Sequence, residues 1–462
     1  MTKTLRLVSI LIFLSAQLLA QLHTPVFDIS RYGAKGDGVT KNTIAIQAAI
    51  DACAGTGGTV YLHHGIFMTG MITLKSNMTF YISSTATLLG STDILDYPTQ
   101  ILPTNNWNKQ ENGRGLLFSL GAKNLTITGG GTINGNGNYA PWTGFYIDEL
   151  ERPIPLWIVQ SNKVEISNLT VKDGAMWNIV PFETDSLVIR NVTINSNIAA
   201  NRDGIDIVDC HHVLIEKCKF YTDDDAICPK SGHIRGVMDI IVRNCEIQKS
   251  ARASGIKFGT LGYGSFKDML FEDITIHDVK LAAIALESVD GANIENVIFR
   301  RIKMKNVGCP FFIILGDRGR TPVGGPHKTG IVKNIVFQDI TATGVTLNTG
   351  SPLSGLKKNG ITYKLKNILF ENIKINFMGG LTTIPPFPVE YAGQYPEVTM
   401  WGNTPAYGFY LNHADSVVFK NCNFTVSPVD ARPWIACNDT SRIQFENCIP
   451  GKFKNEYHSY HK

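Results

Sequence analysis

The stretch V-E-I-S-N-L-T-V (Val164–Val171) decides the fold, because it returns as L-V-I-R-N-V-T-I (Leu187–Ile194) and as V-L-I-E-K-C-K-F (Val213–Phe220). Further copies begin at Ile240, Met269, Val297, Ile335, Ile368, Val417 and Ile443. Through Val297 the successive starts are 23, 26, 27, 29 and 28 residues apart. Apolar and polar residues alternate within each unit, which is the period of a strand with one buried face. A polar hinge interrupts it at Asn168, Asn191, Asn244, Asp273, Asn372 and Asn421. Asn and Asp suit a bend there, since both accept left-handed backbone and hydrogen-bond locally.

A period of roughly 20 to 30 residues, with short strands and no long helix, reads as an all-β solenoid: a single-stranded right-handed parallel β-helix. Leucine-rich repeats need L-x-x-L-x-L spacing and propeller blades a period near forty, and neither occurs. One coil cannot bury its apolar face alone, so the stack needs end caps. A helix N-capped by Asn42 or Thr43 places Ile46, Ala49, Ile50 and Cys53 on one stripe and suits the N-terminal plug. From Phe377 to Tyr410 the rhythm breaks into a segment with Pro385, Pro386, Pro388, Pro396 and Pro405, and with Tyr391, Tyr395, Trp401 and Tyr407. Strand units resume at Val417, so this segment (near 377–410) is expected to be a long loop beside the solenoid rather than a linker.

Charged residues make up 18% of the 462, below the roughly 25% of an average globular chain. A net charge of +4, with no basic helix or Lys/Arg run, gives no reason to expect a nucleic-acid partner. Residues 1–20 resemble a secretory signal: Lys3 and Arg6, an apolar run from Leu7 to Leu14, then Ala20 before Gln21. No other stretch is long and apolar enough to cross a bilayer. The expectation is a secreted or periplasmic monomer, residues 21–462, with no membrane insertion and no cofactor. All nine cysteines follow residue 20. Cys218, Cys245, Cys422 and Cys448 share one repeat position and read as inward core residues, while Cys210 with Cys228 is the pair to test for a disulfide.

Four aspartates stand on two neighbouring coils: Asp203 and Asp206 in N-R-D-G-I-D, and Asp224 and Asp225 in D-D-D-A-I-C-P-K-S-G. Coils stack about 4.8 Å apart, so aligning D-G-I-D-I-V, D-A-I-C-P-K, S-G-I-K-F-G and A-A-I-A-L-E predicts contacts. Ile205, Ile227, Ile256 and Ile284 become an inward ladder. Around it lie the rows Asp203–Asp225–Ser254–Ala282 and Asp206–Cys228–Lys257–Ala285, and a third row ends in Lys230, Gly259 and Glu287. Carboxylates brought this close cannot all ionise comfortably, and a general acid beside a general base is the usual use of such an arrangement. A set of Asn/Asp turns or a calcium site is the alternative. Lys230, Lys257, Arg202 and Arg252 ring the acids, a layout able to hold a sugar and hydrolyse its linkage.

With these motifs quoted, the chain resembles glycoside hydrolase family 28, the polygalacturonase-like enzymes, from about Tyr32 to Cys448. The resemblance also rests on Y-G-A-K-G-D-G-V-T from Tyr32, G-G-T-V-Y-L from Gly57 and Y-P-E-V-T-M-W-G from Tyr395. It implies hydrolysis with inversion. Asn201 and Asp203 match the family N-x-D; Asp224 matches the general acid, and Asp203 with Asp225 the pair that positions water. Separations of about 6.5 to 9.5 Å between acid and base suit inversion. Two positions depart from the pattern. The family G-H-G falls at Ala253-Ser254-Gly255, and the uronate-binding R-x-K falls at Ala285-Leu286-Glu287. A bidentate carboxylate contact is lost there and an anion is added. Lys257 is the candidate to restore one charge, and His233 or His277 the candidates to replace the imidazole. The expected activity is an exported inverting glycosidase on pectin-type polysaccharide with altered sugar preference. A polysaccharide lyase or a non-catalytic glycan-binding solenoid are the alternatives.

Overall fold

The computed structural model describes residues 24–102, 112–143, 151–198, 200–322, 325–390 and 393–450; the expected signal segment and Tyr391 lie outside them. Each repeat unit stacks on the next in parallel. Val164 lies beside Leu187, then Val213, Ile240, Met269, Val297, Ile335, Ile368, Val417 and Ile443 follow in order. The result is a right-handed parallel β-helix. All six hinge residues named above hold φ between 52 and 57°, the left-handed bend expected of them. Their amides also bond from coil to coil, as from Asn191 to Asn168 at 2.7 Å and from Asn421 to Asn372 at 3.2 Å.

Inside the coils, like side chains sit on like. Phe271, Phe299, Phe337, Phe370 and Phe419 stack with centroids 4.9 to 5.2 Å apart, because the pleat repeats in register and each ring falls on the one below. Burying each such ring is worth about 1.5–3 kcal/mol. The N-terminal helix α1 (Thr43–Cys53) turns Ile46, Ala49, Ile50 and Cys53 into the core against the first coils. Asn42 occupies the N-cap, but its amide bonds the Lys35 and Thr40 carbonyls instead of the helix.

Two expectations need correction. Cys210 and Cys228 form no bridge: all nine cysteines are free and buried. The Cys210 thiol donates to the Val208 carbonyl and that of Cys228 to the Gly259 carbonyl, so the two sulfurs are committed to different coils. Cys218, Cys245, Cys422 and Cys448 do lie inward, as read from the repeat. The irregular segment, in turn, begins later than expected. Phe377 and Met378 still pair with Val426 and Ser427, and only the residues beyond them leave the stack. Part of that segment, Tyr395 to Trp401, does not lie idle beside the solenoid but docks onto its aspartate-bearing flank.

Candidate active site

The isoleucine ladder sets the site. Ile205 pairs with Ile227, Ile227 with Ile256 and Ile256 with Ile284, and all four are buried. Their inward direction fixes what flanks them. Asp206 lies beside Cys228 and Lys257 beside Ala285, as the aligned rows require. Backbone bonds lock the first row, since Gly204 N donates to the Asp225 carbonyl at 2.8 Å and Ala226 N to that of Ser254 at 3.2 Å. Coil contact is so close here that a Cβ on Gly204 would lie 2.3 Å from the Ala226 oxygen, which is why the N-R-D-G-I-D turn carries glycine after Asp203.

Two buried ammonium groups knit the acids together. Lys230 Nζ sits 3.1 Å from Asp206 and 3.6 Å from Asp203, and 5.0 Å over the Trp177 ring. Lys257 Nζ sits 3.2 Å from Asp225, 3.9 Å from Glu287 and 3.2 Å from the Tyr395 hydroxyl. Ser254 contributes through its backbone, its N–H donating to Asp225 at 2.9 Å. Asp224, half-buried, accepts from the Asp225 N–H at 3.0 Å, while its carbonyl is held by the hydroxyls of Thr222 and Ser250. An oxygen of Asp203, an oxygen of Asp225 and the Cys228 sulfur lie within 4.8 Å of one another. The cation among those donors is Lys230, 3.0 Å from the sulfur, so a metal ion would have to compete with a fixed ammonium.

Burial governs the protonation of this cluster. It pushes Asp203 well above the ordinary carboxylate value, helped by Asp206 and Asp224. Asp206 rises to about 6 for the same first reason, with Lys230 pulling the other way. Asp224 is raised by burial and then by Asp225. Glu287 is pushed up to about 8 by burial against the pull of Lys257, and Glu397 up to about 7. Burial also opposes the two ammonium charges, but the surrounding anions outweigh it and hold both lysines above their usual value. Interacting carboxyls of this kind titrate as one coupled set rather than as separate groups.

The remaining candidates scatter. Arg252 stands exposed at the rim, 3.1 Å from Asp223, whose carboxyl burial raises to about 6. Arg202 is fully enclosed rather than facing a ligand. Its guanidinium donates to the Gly137 carbonyl and to Asn138, because its side chain reaches back past the preceding coil to the one before. Asn201 accepts from Arg152 at 3.2 Å. His277 pairs with Asp278 and Glu246, and His233 caps the Arg235 N–H. Among the described residues, the partners of the two histidines are these and not Asp203, Asp224 or Asp225. Glu287 stands where a charged carboxylate was expected; burial pushes its carboxyl up to about 8 against the pull of Lys257 3.9 Å away, which favours the protonated form at pH 7. Sequence reasoning missed Tyr395 and Glu397 as site residues. The Y-P-E motif was visible, but nothing local says that it lies across Lys257, 138 positions away.

Comparison with known proteins identifies the family. The chain is 25% identical over 434 residues to a protein of Vitis vinifera named "Probable polygalacturonase", covering 86% of each. It is 26% identical to the exo-poly-alpha-D-galacturonosidase of Dickeya chrysanthemi, over 76% of this chain and 67% of that one. Among solved structures, the Yersinia enterocolitica family 28 exopolygalacturonase superposes with a TM-score of 0.71 at 18% identity, covering 91% of this chain and 78% of its own. The profile of Glycosyl hydrolases family 28 matches residues 62–384, well over half of the sequence, and the chain belongs to that family as a glycoside hydrolase of the polygalacturonase type.

Proposed function

We propose that this protein is an exported hydrolase of pectic polysaccharide that inverts the anomeric centre, with Asp224 as general acid and Asp203 and Asp225 as the pair that binds and activates water. The observation that carries the reading is the approach of one Asp203 and one Asp225 oxygen to within 4.8 Å, close enough for a single water to bond both, with Asp224 next in the chain. Asp224, whose proton affinity is raised by burial and then by Asp225, gives its proton to the leaving glycosidic oxygen. The water attacks the anomeric carbon from the opposite face and its proton passes to the aspartate pair. Export is supported by the Lys3/Arg6 and Leu7–Leu14 pattern. Nine buried thiols are also compatible with an oxidising compartment, because oxidants cannot reach them.

Sugar preference follows from what stands where relatives of this family carry R-x-K. Ala285 has no charge, buried Glu287 is neutral below about pH 8, and Lys257 gives its charge to Asp225. A uronate at that subsite gains no charge pairing from these three side chains, whereas a neutral sugar needs none. The preferred substrate is therefore a pectic chain with a neutral residue there.

The test is Asp224→Asn, Asp203→Asn and Asp225→Asn, assayed by product profile on polygalacturonate and on rhamnose-containing pectin, with the anomer of the first product read by NMR. Each variant should lose activity by about a hundred- to ten-thousand-fold with folding intact. Near-normal turnover in any of them removes that residue from the mechanism, and a first product with retained configuration ends the inverting assignment.

A further inference from the structure

The segment that carries Tyr395 docks on a patch of small and apolar side chains that includes Ala285. Ala282, Ala285, Val289, Cys309, Phe312 and Ile314 form a small apolar cluster on the outside of the coils, separate from the solenoid core, and Val398 is buried in it. Met400 and Trp401 pack against the same cluster, the Trp401 ring meeting Phe312 edge-on at 6.0 Å. Ala282 and Cys309 are neighbours in register, as are Ala285 and Phe312, so the short side chains leave a seat on the surface of adjoining coils. A long arginine at position 285 would fill it. The small residue therefore has a positive role: it admits Val398 and brings Tyr395 over Lys257.

What the docked segment presents is an aromatic face. The Tyr395 hydroxyl is anchored to Lys257 at 3.2 Å, and the Lys257 ammonium and Arg318 guanidinium lie 5.3 and 5.6 Å from its ring centre. Arg318 is itself fixed by Asp290. Held at its hydroxyl and flanked by two cations, the residue is still 52% exposed. A rigid, half-open aromatic beside a catalytic carboxylate is a surface onto which the C–H face of a sugar ring stacks, and it loses little rotamer entropy in doing so.

We propose that Tyr395 is a specificity-determining residue, its exposed ring forming the wall of the subsite on the Lys257–Glu287 side and binding the apolar face of a neutral hexose or 6-deoxyhexose unit. This deepens the proposed preference for a neutral residue at that subsite and rests on it. In place of a charge–charge contact to a carboxylate, the site uses stacking on the Tyr395 ring, with Glu287 enclosed behind it.

The test separates this inference from the assignment of the catalytic residues. Binding is measured by calorimetry in the Asp224→Asn background, with trigalacturonate and a rhamnogalacturonan tetrasaccharide as probes, so that no turnover is needed. Adding Tyr395→Ala should weaken the tetrasaccharide by about tenfold or more while changing trigalacturonate less. Tyr395→Phe, which keeps the ring and loses the bond to Lys257, should restore affinity to within about threefold of the parent. In the active enzyme, Tyr395→Ala should raise KM with kcat little changed. Three results would overturn the proposal: equal tetrasaccharide affinity with and without Tyr395→Ala, no measurable tetrasaccharide binding to the parent, or matched kcat losses in the Ala and Phe variants. The last would mean that the hydroxyl only positions Lys257.

Discussion

Replacing Lys257 by methionine separates two roles for this lysine that its sequence position leaves open. The substitution keeps most of the buried stem and removes only the ammonium. That group lies 3.2 Å from Asp225 and 3.9 Å from Glu287, with its side chain 5% exposed. At 3.2 Å and an effective dielectric near 20, the gross attraction to Asp225 is about 5 kcal/mol. Breaking one partner of a buried pair typically costs about 3–5 kcal/mol, because the other charge is left without compensation. Taking about 3 kcal/mol of this as a loss at the water-activating pair gives a fall of about a hundredfold in kcat. The loss should appear on every substrate cleaved, since Asp225 serves each of them. If Lys257 instead replaced the uronate-binding cation, the variant would raise KM on polygalacturonate alone and leave kcat on other pectins intact. Steady-state kinetics on polygalacturonate and on rhamnose-containing pectin, with thermal unfolding as the fold control, decides between them. An unchanged kcat with a polygalacturonate-specific rise in KM refutes the reasoning.

Three further expectations bear on charge and packing. Glu287→Gln should leave polygalacturonate cleavage weak near pH 6, where Glu287 is already neutral, and should abolish a rise in KM for uronate-rich substrate as pH passes about 8; a large gain in polygalacturonate activity at low pH would show that the side chain is charged there. Asp206, Asp209, Glu287 and Glu397 have folded values of about 6, 7, 8 and 7, all above their ordinary carboxyl values, so the folded state binds more protons than the unfolded. Their contribution is fully present below about pH 4 and is lost as pH rises through those folded values, so unfolding scans should show Tm falling between about pH 5 and 8, with a shallower slope in Glu287→Gln; a Tm that climbs across that window contradicts the sign. Phe337→Ala opens the middle of the phenylalanine stack and should lower stability by about 3–5 kcal/mol in denaturant titrations, leaving KM unchanged below the transition; a loss under 1 kcal/mol would mean that the rings above and below collapse into the gap, roughly offsetting the cavity.

Much of this molecule is legible in one dimension, for a physical reason. A solenoid adds one coil per repeat, so the contacts of Leu187 are Val164 and Val213, and a sequence period translates directly into a spatial ladder. The hinge residues, the isoleucine ladder and the rows that bring Asp203 to Asp225 and Lys257 to Ala285 all follow from aligning neighbouring coils. The inward cysteines follow in the same way. Protonation is different, because it depends on burial from every side: the neutrality of Glu287 comes from how completely the coils and the Tyr395 segment enclose it. The direction of Arg202 depends on where the turn at Gly137 lies, two coils away. The docking of Tyr395 was hidden most deeply. Between Gly379 and Gly408 the chain has no period to align, and its path is set by a seat of side chains between Ala282 and Ile314, far earlier in the sequence. Repetition makes the scaffold and its acids readable from sequence, whereas the wall that closes the site is an irregular segment placed only by long-range packing.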